Sequence, residues 1–285
     1  MRRLLTLTWL TGLLAVGLHQ AYAQPDATFR VTVSLSSTNP PSGGGPVNLG
    51  AAAHFSILAG SAITSTAGGT NYGDVGLSPS TGANITGLTT DRVDGTIYTV
   101  DAGGPLGSVV DPDLLTAAKN DLTKAYTNAA GRPVDSTVAT ELGGSTRTSG
   151  VYDSASGTFG ITGILTLDAA GDPDAVFIFK MATTLITASY SQVDLTRGAQ
   201  ARNVFWQVGS SATLGTDTQF AGSILADQSV TLTTGADLAG RVVALNAAVT
   251  LDDNTITVPE SANTFVLFAG VVGLVLGVRK FQQRS

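Results

Sequence analysis

The stretch "SVTLTT", Ser229–Thr234, decides the fold, because "SATLGT" stands eighteen residues before it and "AAVTLDD" follows at an interval of nineteen. With Thr213, Thr231 and Thr250 as common origin, each threonine is followed by a leucine (Leu214, Leu232, Leu251) and preceded by a small or apolar residue (Ala212, Val230, Val249). Alternation with a period of two is the signature of a strand, so the flanking residues point inward and the threonine outward. Five and seven residues upstream stand Val208 with Trp206, Ala226 with Ile224, and Leu245 with Val243. These predict two buried, stacked columns, Trp206–Ile224–Val243 and Val208–Ala226–Leu245. The words "FAG", "LAG" and "TITV" supply a third short strand to each unit. Three short strands and three turns in eighteen to twenty residues make one rung of a parallel β-solenoid.

One segment breaks the pattern. "DPDLLTAAKNDLTKAYTNAAGRP", Asp111–Pro133, opens with a capping Asp and a Pro at the first helical position and closes on Gly131 and Pro133. Leu114, Leu115, Ala118, Leu122, Ala125, Tyr126 and Ala129 share one side, which predicts a helix over 112–130 laid along the solenoid. It separates an N-terminal rung, "FSILAGSAITSTAGGTNYGDVGL" (Phe55–Leu77), from the later ones, and leaves Asp91–Val110 as a cap over one open end.

The composition agrees with a fold of many short strands. With 6% aromatic residues and 34 glycines, the core must come from Val, Ile, Leu and Ala, with turns at close intervals. Met1–Ala23 has Arg2 and Arg3, an apolar run from Leu4 to Leu18 and "AYA" before Gln24, the layout of a secretory signal removed by signal peptidase. Residues 24–46, with "NPPSGGGP", read as a linker, and the folded domain is expected over 47–258. The remaining tail, 259–285, has a fifteen-residue apolar run, Thr264–Val278, followed by Arg279, Lys280 and Arg284. That run is short for a spanning helix. With "VPES" at Val258–Ser261, the tail resembles the PEP-CTERM class of bacterial sorting signals, which implies trimming by an exosortase-like protease and display at the cell surface or in exopolysaccharide. Without both ends the chain keeps 10 of its 15 basic and 20 of its 21 acidic groups. That balance argues against nucleic acid as a partner, since phosphate contacts need clustered Lys and Arg. There is no cysteine, so stability must come from packing.

"LGAAAHFSILAGSAITSTAG", "GDVGLSP", "AYTNAAGR", "GAQARNVFWQVGSSATLGT" and "NAAVTLDDNTIT" resemble, in order, successive blocks of the ice-binding protein family. The resemblance covers nearly all of residues 47–258. It implies a mainly β fold: a three-sided, discontinuous, right-handed parallel β-solenoid with one long α-helix alongside. It also implies ice binding on a flat solenoid face, as a monomer without enzymatic activity, metal or cofactor. Binding strands of that family often read Thr-Ala/Gly-x-Thr/Asn. The matching words here are "SAIT" (Ser61–Thr64), "SSAT" (Ser210–Thr213), "QSVT" (Gln228–Thr231) and "AAVT" (Ala247–Thr250), while "SGTF" (Ser156–Phe159) has lost the last threonine in its rung. The expected ice-binding residues are therefore Thr64, Thr213, Thr231 and Thr250, with Thr66 and Thr233 two residues on and Ser211 and Ser229 two residues back. Threonine suits such a surface, because its hydroxyl bonds water, its methyl excludes water, and β-branching fixes the rotamer. The thinning of the first threonine in each word leaves a second reading open, a structural or adhesive matrix protein that keeps the fold without ice binding.

Other chemistry finds little support. A polysaccharide-cleaving β-helix would need paired carboxylates, but Asp168, Asp172, Asp174, Asp194, Asp252 and Asp253 stand in turn-like contexts. His54, expected on an early strand, has no partner cluster for zinc. "GTNYGDVG" precedes no helix and reads as turns rather than a phosphate loop.

Overall fold

The computed structural model describes residues 44–66 and 68–259. The expected signal segment, the expected linker up to residue 43 and the expected sorting tail from residue 260 lie outside the described residues.

The chain winds into a three-sided stack of coils whose strands pair in parallel. From one end the coils begin at Ser136–Val138, Gly150–Ser154, Phe177–Met181 and Val204–Val208. The long strands Gln219–Ala226 and Asp237–Ala244 then each close one coil and open the next. The stacking order departs from chain order at the next step. The N-terminal coil, Phe55–Ala59, Ile63–Ser65 and Gly69–Tyr72, sits on the C-terminal one, pairing with Asp237–Ala244, Val249–Leu251 and Asn254–Thr257. The stack continues through Asp74–Leu77, Ile85–Thr86 and Val93–Asp94, and ends with Ile97–Thr99 and Val109–Val110. The closing elements thus begin at Ile85, ahead of the expected 91–110, and continue the solenoid rather than only covering it.

The interior is one continuous column. Tyr152, Phe179, Trp206, Ile224, Val242, Ile57, Val75 and Ile97 stand in register from end to end. At the end that begins with Ser136–Val138 the column is aromatic: Phe179 stacks on Trp206 at 4.3 Å and on Tyr152 at 5.4 Å between ring centroids. Trp206 is fully buried and donates Nε1–H to the Ala221 carbonyl at 3.0 Å. Toward the other end the column passes to Ile and Val.

The sequence register fails by one residue in one coil. Ile224 pairs with Val242, not Val243, and Ala226 pairs with Ala244, not Leu245. The interval from Thr231 to Thr250 is one residue longer than that from Thr213 to Thr231, and the extra residue lies in the turn between Ala244 and Val249. Counting back from the threonine carried it into the strand, where a slip of one moves every side chain to the other face. Val243 and Leu245 accordingly face the helix.

That helix, Pro112–Gly131, is capped by Asp111, whose carboxylate accepts the Leu114 amide at 2.9 Å. Its buried stripe, Leu115, Ala118, Leu122, Ala125 and Ala129, covers the outer side of one solenoid face, against Val151, Ile178, Phe205, Leu225, Val243 and Leu58. Leu114 and Tyr126 lie at the margin of this contact. Lys119, on the same helix, points its ammonium at the carbonyls of Leu245 and Ala244, and burial lowers its pKa to about 8.

The third strand of each unit is not always separate. Gln219–Ala226 and Asp237–Ala244 each run around a corner, bending at Gly222 and Gly240. Gly222 has φ +109°, and a Cβ there would meet the Val204 and Trp206 side chains at 2.7–2.8 Å; one on Gly240 would lie 1.9 Å from the Gly222 carbonyl. Only glycine lets adjacent coils turn this corner together. Three further expectations are corrected. His54 ends a short 3-10 helix, Gly50–His54, and is exposed. "GTNYGDVG" forms two strands hinged at Gly73. Asp194 lies inside the strand Gln192–Thr196, not in a turn.

Candidate binding face

The three sides of the solenoid differ in what they offer. One is covered by the helix. A second presents Gln192, Asp194, Asp168, Gln219, Asp237 and Tyr72, with Asp168 paired to Arg197 at 3.2 Å. Charged groups hold their own hydration, which suits solubility rather than an ordered water lattice.

The third side is a seven-stranded parallel sheet of short strands: Phe159–Ile161, Leu185–Thr187, Ala212–Leu214, Val230–Leu232, Val249–Leu251, Ile63–Ser65 and Ile85–Thr86. In nearly every strand the residues flanking the centre are buried and the central one is not. The central residues form one column in strict register, Gly160, Ile186, Thr213, Thr231, Thr250, Thr64 and Thr86. Five consecutive threonines are thus spaced by the strand separation, about 4.8 Å. Among the described residues, the hydroxyls of Thr213, Thr231 and Thr250 have no partner within the protein, while Thr86 donates to Thr64 at 3.3 Å. Free hydroxyls on a rigid grid are available to water.

A second column runs two residues back: Thr158, Thr184, Ser211, Ser229, Ala248, Ala62 and Asn84. It is uncharged throughout. Thr158 and Thr184 share a hydrogen bond of 2.8 Å, and Ser211 Oγ accepts the Ser229 amide at 3.3 Å.

Two residues forward the chain turns the corner, and here the hydroxyls serve the protein. Thr233 donates to the Leu214 carbonyl at 2.8 Å. Thr66 donates to Asp252 Oδ1 at 2.7 Å. The Asp252 carboxyl lies below the usual carboxylate range because Thr234 and Thr66 both donate to it. The structure therefore brings Thr64, Thr213, Thr231 and Thr250 into one line and Ser211 and Ser229 into a parallel one. It commits the hydroxyls of Thr66 and Thr233 to the turn at the border.

Sequence reasoning missed Thr86 and the strand around Ile186. "NIT" (Asn84–Thr86) carries the same inward-outward pair as "AIT" (Ala62–Thr64), and "TLIT" (Thr184–Thr187) the same apolar alternation. Neither follows its neighbour at the repeat interval, so period alone did not reach them.

Residues 57–257 match the family described as Ice-binding-like. The chain belongs to this ice-binding-like family. Among its curated relatives, an ice-binding protein of Nostoc sp. is 42% identical over 247 residues, covering 81% of this chain and 86% of the relative. An ice-binding protein of Flavobacterium frigoris is 41% identical, covering 79% and 83%. Among solved structures, the crystal structure of an ice-binding protein from the Antarctic ascomycete Antarctomyces psychrotrophicus matches with a TM-score of 0.65 at 38% identity, covering 76% of this chain and all of that one. The DUF3494 domain of Shewanella frigidimarina ice-binding protein 1 matches with a TM-score of 0.69 at 32% identity, covering 76% of this chain and all of that one. The β-solenoid with one flanking helix is thus the family's fold. Among the described residues no group of three or more His, Cys, Asp or Glu is placed to hold a metal ion, and no helix is long and apolar enough to cross a membrane.

Proposed function

We propose that this protein is a non-enzymatic ice-binding protein, active as a monomer, that uses the seven-stranded face to hold ordered water and thereby slow the growth and recrystallisation of ice. The observation that carries the reading is the uncharged, in-register column Thr213–Thr231–Thr250–Thr64–Thr86 on an uncovered face. Ice offers only water to a ligand surface, so recognition needs flatness, a fixed repeat and groups that anchor water without charge. The family's relatives, named for binding ice, supply the independent support. The test is ice shaping and recrystallisation inhibition by purified Gln24–Val258. Inhibition at micromolar protein is expected, and growth indistinguishable from buffer would overturn the reading.

A second reading has a specific observation in its favour. Gly160 and Ile186 end the threonine column at one side, and Ala62 and Ala248 interrupt the hydroxyls of the neighbouring one. A solenoid kept as a structural or adhesive component of an exopolysaccharide matrix would tolerate this erosion, and it would show no ice activity in the same assay.

Export follows from the chain ends: cleavage by signal peptidase before Gln24, then sorting through the PEP-CTERM-like tail by an exosortase-like enzyme. Intact-mass measurement of surface-extracted protein should give an N-terminus near Gln24 and an end within Val258–Ser261. A full-length chain would refute it.

A further inference from the structure

The threonine column is assembled from two ends of the chain, and a single carboxylate ties them at the border of the face. Asp252 stands two residues beyond Thr250. Its Oδ1 accepts from the hydroxyl of Thr66, in the N-terminal coil, at 2.7 Å, and its Oδ2 accepts from the hydroxyl of Thr234, in the preceding coil. Three successive coils are joined through one side chain. The Asp252 turn is itself held from inside: its amide donates to Asn254 Oδ1 at 2.6 Å, and buried Asn254 donates to the carbonyls of Thr233 and Ala236 at 2.8 and 3.0 Å.

A carboxylate beside a surface that works by being uncharged is costly unless its lone pairs are directed elsewhere. Here they run sideways along the border, into hydroxyls of the two neighbouring coils. Backbone pairing fixes which residue faces which, and beside the seam the Thr66 amide donates to the Leu251 carbonyl at 3.0 Å; the ladder of three-residue strands ends at Leu251, and beyond it the Asp252 side chain adds the links to both neighbouring coils. Spreading at the seam would divide the five threonines into three (Thr213, Thr231, Thr250) and two (Thr64, Thr86), each too short to match an extended lattice.

We propose that Asp252 is the positioning residue of the ice-binding face: by holding Thr66 and Thr234 together, it fixes the spacing of Thr231, Thr250 and Thr64 across the seam. The proposal rests on the ice-binding reading of this face. Thr234 lies in the turn after the strand Val230–Leu232, so its hydroxyl acts on the threonine column through Asp252.

The test is a double-mutant cycle on recrystallisation inhibition, with Asp252→Ala, Thr234→Val and the pair, assayed near the freezing point where circular dichroism shows each variant fully folded. Each single change should raise the protein concentration needed several-fold, and the pair should cost no more than the larger single. Asp252→Asn keeps an acceptor for Thr66 and offers an amide to the Thr234 hydroxyl, so it should restore near wild-type activity. Full activity in Thr234→Val, multiplicative losses in the pair, or Asp252→Asn as impaired as Asp252→Ala would each overturn the proposal while the wild type remains active. An inactive wild-type chain would instead sink the ice-binding reading, and this proposal with it.

Discussion

Thr64 stands directly opposite Thr250 in the outward column, although one belongs to the first coil of the chain and the other to the last. The face is therefore complete only when the two ends have met. The same junction buries Ile57 against Val242 and aligns Gly69–Tyr72 with Asn254–Thr257. The proposed recognition face and the core share one seam: what closes the core also completes the threonine column.

Thr231 lies inside the run of five threonines, with Thr213 on one side and Thr250 on the other. Thr231→Tyr places a ring on a surface that must lie flat, while the inward Val230 and Leu232 are untouched. Melting temperature should be nearly unchanged and recrystallisation inhibition reduced at least tenfold. The matched control is Thr257→Tyr on the charged side, exposed and paired in register with Tyr72, which should keep full activity. Equal losses in the two variants would remove this face from consideration.

Ile186 continues the column beyond Thr213, half exposed at 54%, where its longer side chain replaces a water-binding hydroxyl. Ile186→Thr should lengthen the run from five threonines to six. Because lattice contact grows with the number of matched positions, the variant should inhibit recrystallisation at lower concentration than the wild type. Unchanged activity would show that the effective face ends at Thr213.

Much of this was legible in the sequence, for a physical reason. A solenoid repeats its environment every coil, so the leucines and threonines around Thr213, Thr231 and Thr250 declare both period and facing. Asp111, Pro112 and the apolar stripe announce the helix as directly. What escaped was whatever the turns alter. One extra residue before Val249 shifted Val243 and Leu245 onto the helix-facing side. Thr86 was hidden because its coil lies at a different interval. The contacts of Asp252 could not be read at all: its partner Thr66 comes from the other end of the chain, and Asp252–Asp253–Asn254 reads in sequence like any acidic turn.

Trp206 fills the bore, stacked on Phe179 and tilted 46° against Phe220. Trp206→Ala removes this stacking, leaves a cavity and deletes the hydrogen bond to the Ala221 carbonyl. Loss of a fully buried large aromatic costs about 3–5 kcal/mol. Denaturant unfolding should show a midpoint lowered accordingly. At temperatures where the variant stays folded, ice activity should fall little, since Trp206 belongs to the interior column with Phe179 and Ile224 and not to the outward one. A loss below 1 kcal/mol would mean that the interior relaxes around the gap.

Lys119 gives the fold a pH dependence of its own. Burial against the last coil lowers its pKa from 10.5 to about 8, so between those values the unfolded chain binds a proton that the folded chain has released. Stability then rises with pH across that window, and below it the folded state bears the full cost of a desolvated ammonium. Tyr126 acts in the opposite sense but later: burial raises its phenol above 10.0, so it removes stability only once tyrosines ionise. Melting temperatures of the wild type should therefore climb from pH 8 toward the onset of tyrosine ionisation. Lys119→Met, which keeps the packed stem and discards the charge, should flatten that climb. A wild-type curve already flat over this range would show that the carbonyls of Ala244 and Leu245 offset the burial of the ammonium in full.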